Sequence, residues 1–363
     1  MDCNMDFTHQ KEFTRLLLDW HRKENRREMP WKGIRDPYRI WLAEIILQQT
    51  RVEQGREYYE RFVEAYPTLA DLAAAREEEV FRLWQGLGYY NRCRNLLHTA
   101  RELMKSHGGV FPKNYEELLS LKGIGPYTAA AIASFAFDLP HAVVDGNVLR
   151  VLARYFALHT PIDTPAGKKY FTRLANELIP PEEPAIFNQA IMDLGATICK
   201  PQAPNCGQCP LNSFCKAFHQ RKQEQFPVKL TRKTIRERYF HYLVCWFGDK
   251  TIIRKREEKD IWCGLYEFPM IERERLAGKE LLLEDPAWKN LLPDGCWELK
   301  GITERKQQLT HQLIHARFFY VETTREPRIL SPQILVQGKQ LHQYAFPGII
   351  VRYLHCVQQP LLL

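Results

Sequence analysis

The sequence predicts two domains, an all-α domain followed by an α+β domain. Apolar residues recur at three- and four-residue intervals from about residue 7 to residue 198, which is the period of a helix with one buried face. The second half instead contains aromatic and β-branched runs separated by turn residues, which favour strands. A chain of 363 residues is long enough for two domains. We therefore predict a helical domain over 7–220, a basic linker over 221–236 and an α+β domain over 237–363.

The helical half contains a series of apolar segments with helical spacing. They include FTRLLLDWHRK, YRIWLAEIILQQT, EEVFRLWQGLG, CRNLLHTARELMKSHGG, NYEELLSL, PYTAAAIASFAF and NVLRVLARYFAL. Glycine and proline separate these segments, as in GLG at 86–88 and KGIGP at 122–126. No β-rich run interrupts them, so this half is predicted to be all α.

The second half opens with the strand-like runs YFHYLVCWFG and KTIIRKR and continues with LIHARFFYVET. Their β-branched and aromatic content is typical of half-buried strands. The segment PQILVQGKQLHQYAFPGIIVRYLHCVQ is predicted to form a short helix plus a loop. This domain should have about 125 residues.

The composition indicates a folded globular protein with a modest positive charge. Hydrophobic residues make up 45% and charged residues 26%, and 51 Lys and Arg stand against 43 Asp and Glu. No run of eighteen apolar residues predicts a transmembrane helix, and the first residues do not form a secretory signal. We expect a cytoplasmic protein, nucleoid-associated if bacterial. The stretch 216–238 holds eight Lys or Arg and two Glu, which indicates a solvated linker or one that lies near phosphates.

Four cysteines lie within seventeen residues, at Cys199, Cys206, Cys209 and Cys215. They could form disulfides, bind a metal or be close by chance. A reducing cytoplasm disfavours disulfides, whereas clustered thiolates repel one another unless a cation neutralises them. Zinc sites usually take two close pairs separated by a longer span, while a cubane iron–sulfur cluster accepts four ligands from one compact loop. The spacing therefore indicates a metal site, and the spacing together with the resemblance given below favours a [4Fe–4S] cluster over zinc.

Gly123-Ile124-Gly125 joins two helical segments within LLSLKGIGPYTAAAIASFAF. Two glycines one residue apart permit a hairpin too tight for side chains, and they expose backbone N–H groups at the start of the next helix. Those donors and the helix dipole suit a phosphate. The pattern is typical of a DNA-binding helix–hairpin–helix, and the alternative is a plain turn between two helices.

Two carboxylates stand in unusual places. Glu44 interrupts the apolar run IWLAEIIL, so burial would raise its pKa and suit it to general acid catalysis. The alternative is that the Glu44 side chain reaches solvent at the polar edge of the helix. Asp145 precedes the helix NVLRVLARYF, where an ordinary N-cap is the alternative to a carboxylate that stabilises a sugar cation. Gln48 and Gln49 carry paired donors and acceptors that suit base edges.

Together these features resemble the helix–hairpin–helix DNA glycosylases that carry an iron–sulfur loop, over nearly all of residues 7–220. Members that form a Schiff base carry a Lys two residues after the second hairpin glycine, where this chain has Tyr127. The resemblance therefore implies a monofunctional enzyme rather than an efficient lyase. The motifs PWKGIRDPYRIWLAEIILQQT, GLGYYNRCRNL and VVDGNV are most similar to the MutY-type adenine DNA glycosylases. That family removes adenine mispaired with 8-oxoguanine or guanine from duplex DNA.

The resemblance also implies roles for individual residues. Glu44 would protonate adenine N7, Asp145 would stabilise or capture the oxocarbenium ion, and Tyr127 and Asn147 would support them. Arg27, Trp31 and Gln189 would line the pocket for the flipped adenine. The residues that would contact the DNA around the lesion are Leu47, Gln49, Thr50 and Tyr89, and Leu47 or Tyr89 would insert into the base stack. The resemblance further implies a [4Fe–4S] cluster on Cys199, Cys206, Cys209 and Cys215, with Lys200 and Lys216 near the DNA backbone. The enzyme is expected to be a monomer.

The second half resembles the Nudix-like C-terminal domain of the same family, with GLYEFP at 264–269. A Nudix hydrolase needs a downstream R-E-x-x-E-E helix, and ERERLAGKELLLED does not supply it, so this domain is expected to bind rather than hydrolyse. The family reads 8-oxoguanine partly through a Phe-Ser-His loop. The matching residues here are Leu309, Thr310 and His311, and an alternative alignment uses His315.

Two further interpretations remain open on the sequence alone. An endonuclease III-like glycosylase/lyase is disfavoured by Tyr127 and by the C-terminal domain. A DNA-binding protein without catalysis is disfavoured by the presence of both Glu44 and Asp145.

Overall fold

The computed structural model describes residues 7–230, 235–280, 285–292 and 295–357. The chain folds into two compact units, Met1–Ala74 with Asn95–Arg232, and Ala75–Arg94 with Lys233–Leu363. The first is the helical unit and the second the sheet unit. The predicted domain ranges stay a prediction, and residues 75–94 belong to the sheet unit although they lie early in the chain. No helix of the described residues is long and apolar enough to cross a membrane.

The described part of the helical unit contains helices throughout, as predicted. In chain order they are α1 (Phe7–Lys23), α2 (Pro37–Leu47), α3 (Val52–Ala65), α4 (Leu69–Ala74), α6 (Tyr90–Ser106), α7 (Tyr115–Ser120), α8 (Pro126–Phe137), α9 (Gly146–Tyr155), α10 (Pro165–Leu178), α11 (Pro184–Thr197) and α12 (Lys216–His219). Helix α5 (Glu77–Trp84) and the first residues of α6 belong to the sheet unit instead. Short 3-10 turns at Cys206–Gln208, Asn212–Phe214 and Gln223–Gln225 complete it. The all-α prediction is confirmed.

Helices α2 and α8 are central to the helical unit. Both consist almost entirely of apolar residues, so they are buried on all sides rather than along one stripe, and they pack against each other. Asp36 caps α2 by accepting a hydrogen bond from the Tyr38 backbone N–H, and Pro37 occupies the first helical position. Helices α1, α9, α10 and α11 enclose a second apolar cluster around Phe13 and Phe187.

The described residues of the sheet unit after Arg232 form a seven-stranded mixed sheet with two helices of four residues or more. The elements are β1 (Arg236–Phe247), β2 (Lys250–Lys255), β3 (Tyr266–Glu267), β4 (Met270–Arg273), α13 (Pro286–Lys289), β5 (Trp297–Gln308), β6 (Gln312–Thr323), β7 (Gln333–Gln337), a 3-10 turn (Gly338–Gln343) and α14 (Gly348–Val357). The strand order is β3-β2-β1-β6-β5, with β4 on β1 and β7 on β2. The α+β prediction is confirmed, although QILVQ is a strand rather than part of a helix and loop.

The long parallel pair β1–β6 forms the centre of this sheet, and β5 returns antiparallel on β6 through a tight hairpin at 309–311. Leu243, Cys245, Phe319 and Val321 from the two central strands form part of the apolar cluster on one face. Gly264, within GLYEFP, has φ +85, and a Cβ there would lie 2.8 Å from an Arg94 side-chain atom. The positive φ is what requires glycine at this position, because the Arg94 guanidinium is the far end of a flexible side chain and can shift.

Candidate active site

A cavity of about 770 Å³ opens in the helical unit. It lies among α2, the first turn of α8, the start of α9 and helix α11. The predicted site residues that line it are Arg27, Trp31, Glu44, Leu47, Gln48, Gln49, Thr50, Tyr127, Asp145, Asn147 and Gln189. Residues far apart in the chain are thus brought to one cavity.

Glu44 is buried in this cavity, with 7% of its surface exposed. The alternative of a Glu that reaches solvent is wrong, because α2 is surrounded by packed side chains and has no polar edge at this position. Burial raises the pKa of Glu44 to about 7, the negative charge of Asp145 adds to the rise, and a hydrogen bond from Tyr127 opposes it. The carboxyl is therefore partly protonated at neutral pH.

Tyr127 lies in the first turn of α8, where Pro126 begins the helix. It is hydrogen-bonded to Glu44, and burial raises the pKa of its own hydroxyl well above the usual range. Tyr127 therefore stays protonated and donates the hydrogen bond to Glu44.

Asp145 is the N-cap of α9 and also lines the cavity. Its Oδ1 accepts hydrogen bonds from the backbone N–H groups of Asn147 and Val148, both at 2.8 Å. Its Oδ2 accepts one from Asn147 Nδ2 at 2.7 Å. Burial raises the pKa of Asp145, and these hydrogen bonds to the ionised form oppose the rise. The two interpretations of Asp145, as cap and as site carboxylate, are compatible.

Two buried arginines of α9 connect this carboxylate to the cysteine loop. Arg150 donates to Asn147 Oδ1 at 2.8 Å and to the Cys199 backbone oxygen at 2.8 Å. Arg154 donates to Cys199 Sγ at 3.4 Å and to the Lys200 backbone oxygen at 2.6 Å. The loop and the N-cap are thus held by one helix. Sequence reasoning missed both arginines, since Arg at helical spacing usually lies on a solvated face.

The cysteine loop has a donor set that fits an iron–sulfur cluster. Cys199 follows α11, Cys206 and Cys209 flank a 3-10 turn, and Cys215 caps α12. The pKa of Cys209 is raised to about 12 and that of Cys215 to about 11, mainly by burial and with a contribution from the neighbouring cysteines. Four such thiolates coexist only around a cation. When bound, the cluster's irons supply that positive charge.

The hairpin before α8 has one glycine that the fold requires and one that it does not. Gly123 has φ +79, and a Cβ there would lie 2.6 Å from Asn95 Cβ. Gly125 caps α8 with an ordinary φ of −91, and a Cβ there would meet nothing within 4 Å. The prediction of a hairpin too tight for side chains is therefore confirmed at Gly123 and wrong at Gly125. Thr99 holds the turn by donating to the Lys122 backbone oxygen.

The end of α2 presents polar residues at the mouth of the cavity. Gln48 is its C-cap and donates to Thr128 Oγ1 at 3.3 Å. Gln49 follows with φ 57, a conformation that non-glycine residues adopt rarely, and its side chain is exposed. Such strain is common at binding sites.

In the sheet unit, Tyr89 is hydrogen-bonded to Thr310 through their hydroxyl groups. Tyr89 also has positive φ, at 48, and is 44% exposed, with the Arg92 guanidinium over its ring. Thr310 and the exposed His311 lie in the β5–β6 hairpin. His315, in contrast, is buried within β6, stacked on Tyr239 and bonded to Glu237. Of the two alignments, only the first puts a His at the exposed hairpin.

Sequence reasoning also missed Asp193, which lies behind the cavity wall. It is fully buried on α11 and accepts hydrogen bonds from Arg27, Lys32, Gln189 and Asn25. A signal was present, because Asp193 interrupts the apolar run AIMDLGA just as Glu44 interrupts its own run.

Comparisons with known proteins agree with this geometry. Residues 42–181 match the HhH-GPD superfamily of base excision DNA repair proteins, 199–215 match the iron-sulfur binding domain of endonuclease III, and 241–356 match the NUDIX domain. The chain is 36% identical over 264 residues to the adenine DNA glycosylase of Buchnera aphidicola subsp. Baizongia pistaciae (strain Bp), covering 72% of this chain and 74% of that protein. The chain belongs to the adenine DNA glycosylase family. It is therefore a base-excision-repair glycosylase, and the loop 199–215 holds a [4Fe–4S] cluster.

Two solved structures resemble the helical part of this glycosylase. A thermostable thymine-DNA glycosylase is 31% identical, with a TM-score of 0.55, covering 59% of this chain and 98% of that chain. A non-covalent endonuclease III–DNA complex is 27% identical, with a TM-score of 0.50, covering 58% and 97%. Each resemblance covers less than two thirds of this chain and almost all of the solved one.

Proposed function

We propose that the chain excises adenine paired with 8-oxoguanine or guanine in duplex DNA, as a monomeric and monofunctional glycosylase. The observation that carries this proposal is the buried group of Glu44, Tyr127 and Asp145 in a cavity large enough for a flipped base. DNA repair would place the enzyme in the cytoplasm, at the nucleoid if the source is bacterial.

In this proposal Glu44 is the general acid. Adenine is a poor leaving group until it is protonated, and a carboxyl with a pKa near 7 holds a proton at neutral pH that it can transfer to the base. As the bond from C1′ to the base nitrogen breaks, its electron pair goes to the protonated base. Tyr127 stabilises the carboxylate that remains on Glu44.

Asp145 stabilises the sugar cation that base departure leaves at C1′. Its two oxygens are held by α9 and Asn147, so the carboxylate need not reorganise as the charge develops. Water then attacks C1′ and gives its proton to the Glu44 carboxylate, which restores the acid. This division of labour follows the two-carboxyl pattern of glycoside hydrolysis.

The absence of an amine at position 127 supports a monofunctional reaction. A lyase needs a nucleophilic amine to form a Schiff base with C1′. Tyr127 stays protonated and is bonded to Glu44, so it is unsuited to attack. Strand cleavage should therefore require added alkali.

The proposed DNA contacts come from both units. The backbone N–H groups of the Gly123–Gly125 hairpin, at the start of α8, would bind a phosphate. Leu47, Gln48, Gln49 and Thr50 at the cavity mouth would meet the strand around the flipped adenine, and extrusion of a base costs a few kcal/mol. In the sheet unit, Tyr89, Thr310 and His311 would read the opposite base, with the Thr310 hydroxyl replacing that of the family's Ser.

The Nudix-like domain would bind without hydrolysis, because the stretch ERERLAGKELLLED lacks the metal-binding pattern of a hydrolase. In the structure, residues 272–273 end strand β4, residues 274–279 contain no helix and residue 280 is helical. The part of the stretch at 281–284 lies outside the described residues.

The test is single-turnover excision from labelled duplexes that carry adenine opposite 8-oxoguanine, guanine or thymine. We expect adenine release opposite 8-oxoguanine and guanine only, with strand breaks only after alkali. Release with breaks in the absence of alkali would contradict the monofunctional proposal. DNA binding without any release would contradict the enzyme proposal.

A further inference from the structure

Asp193 organises the wall of the cavity from behind. It is 0% exposed, yet four side-chain donors converge on its carboxylate. Oδ1 accepts from Arg27 Nη1 at 2.9 Å and from Gln189 Nε2 at 3.0 Å. Oδ2 accepts from Asn25 Nδ2 at 2.8 Å and from Lys32 Nζ at 3.0 Å. A buried carboxylate is tolerated when it is paired and fully hydrogen-bonded, and Asp193 meets both conditions.

Three of its partners line the cavity, and two of these come from the loop between α1 and α2. Arg27 and Lys32 reach Asp193 from this loop, and Lys32 Nζ also donates to the Arg27 backbone oxygen at 2.8 Å. Asn25 donates to Asp193 as well, and the Arg27 backbone N–H donates to Asn25 Oδ1 at 3.1 Å. The carboxylate therefore fixes a loop that has no regular structure of its own.

Asp193 also decides which atom of Gln189 is offered to a base. A carboxylate only accepts hydrogen bonds, so the Gln189 amide must turn its NH₂ group toward Asp193. Its Oε1 is then the atom available in the cavity. An amide oxygen accepts from an exocyclic amino group and rejects a carbonyl at the same position.

We infer that Asp193 is a positioning residue for base recognition: it holds Arg27 and Lys32 in place and orients Gln189 so that the cavity selects a base with an exocyclic amino group. The inference rests on the proposed function and adds to it the cause of the selectivity for adenine. Asp193 touches no reacting atom and acts through its partners.

Asp193→Asn tests this inference with little change in volume. The Asn amide retains one acceptor oxygen, but its NH₂ group replaces the other oxygen and faces groups that also donate. One of these is the Gln189 amide, which is then free to turn its oxygen away from the cavity. The substrates are duplexes with adenine, or with unsubstituted purine in its place, opposite 8-oxoguanine. We expect the single-turnover rate for adenine to fall at least about tenfold and the rate for purine, which lacks the amino group, to fall less. Affinity for a duplex with an abasic site, which offers no base, should stay within about twofold.

Gln189→Ala and the double variant Asp193→Asn/Gln189→Ala sharpen the test. If Asp193 acts through Gln189, the adenine-to-purine rate ratio of the double variant is no lower than that of the more affected single variant. Glu183→Gln is the matched control, because it removes an ion pair with Arg22 at the start of the same helix, and neither Glu183 nor Arg22 lines the cavity. It should leave both rates unchanged.

A purely structural role would give a different result. Equal losses on adenine and purine, together with weaker abasic-site binding and a lower melting temperature, would overturn the inference, and so would a variant with wild-type rates. If Asp193→Asn does not fold, Lys32→Met removes one donor to Asp193 while Arg27 remains paired with it. It should also lower the adenine-to-purine rate ratio, and an unchanged ratio there would overturn the inference. A wild-type enzyme that releases no adenine would instead overturn the proposed function.

Discussion

The active-site carboxyls of the helical unit and the buried carboxylates of the sheet unit have opposite kinds of partner, whereas Asp193 of the helical unit, paired with Arg27 and Lys32, follows the pattern of the sheet unit. In the cavity of the helical unit, Glu44 and Asp145 have neutral partners, Tyr127 and Asn147, and burial raises the pKa of both carboxyls. In the sheet unit, burial also raises the pKa of the fully buried Glu267, but here two cations oppose the rise, because Arg256 and Arg254 donate hydrogen bonds to its carboxylate at 2.7 Å and 2.8 Å.

The same contrast continues through the sheet. Arg238 pairs with Asp260 and with Glu272, both at 2.7 Å. The hydrogen bond from Arg238 holds the pKa of Glu272 below its usual range. Guanidinium groups therefore favour the ionised form of the carboxylates in the sheet unit, whereas among the described residues no cation is paired with Glu44, which leaves a proton that can move. This difference, rather than burial itself, separates a catalytic carboxyl from a structural one.

The largest expected effect is at Asp145. Asp145→Asn keeps the N-cap geometry, because Asn caps helices as well as Asp, but it removes the negative charge that faces the sugar cation. We expect the single-turnover excision rate to fall by more than about 10³-fold. Asp36→Asn, the same change at the N-cap of α2 outside the cavity, should leave the rate unchanged. An Asp145→Asn variant that retains a tenth of the wild-type excision rate would contradict the role of the Asp145 charge in stabilising the sugar cation.

The sheet unit should respond in stability rather than in chemistry. Glu267→Gln leaves two guanidinium groups around an uncharged partner, and removal of one member of a buried ion pair costs about 3–5 kcal/mol. Glu44→Gln is the matched variant, since no cation loses its partner there, and it should keep the stability while excision falls about 10²- to 10⁴-fold. Urea unfolding of the full chain, followed with the excision rate, measures both. Equal loss of stability in the two variants would contradict the distinction.

The cysteine loop also pairs opposite charges, but without carboxylates. Its cations are the arginines of α9 and its anions are the cysteine thiolates. Arg154→Lys keeps the positive charge but loses the planar group that contacts Cys199, Lys200 and the Gln223 backbone oxygen. We expect chelator to remove the cluster about tenfold faster, as followed by its visible absorbance. A loss rate equal to that of the wild type would show that the charge alone suffices.

The sequence was informative where a residue type conflicts with its surroundings. Glu44 inside an apolar run predicted a buried carboxyl, the cysteine spacing predicted an iron–sulfur loop, and Gly123 predicted a tight hairpin, although Gly125 did not prove necessary to that hairpin. The hydrogen-bond partners of the site residues could not be predicted from the sequence. The bond from Arg150 to the Cys199 backbone oxygen, for example, joins residues 49 positions apart in the chain. Backbone strain at Gln49 and Tyr89 was equally invisible, since neither residue type favours positive φ. Strand β7 was missed because QILVQ is short and pairs only with β2.

The smallest expected effect is a shift in pH dependence at Tyr127. Glu44 must hold its proton to act as the acid, so the wild-type rate should decline as pH rises through about 7. The hydrogen bond from Tyr127 stabilises the ionised form and lowers the pKa of Glu44. Tyr127→Phe removes that bond, so the pKa should rise and the alkaline decline should move to higher pH. Single-turnover rates from about pH 5.5 to about 9 measure this shift. At pH values below the decline, the rate of the variant should differ from the wild-type rate by less than about tenfold. A shift to lower pH would mean that Tyr127 acts on Glu44 in some way other than by stabilising its charge.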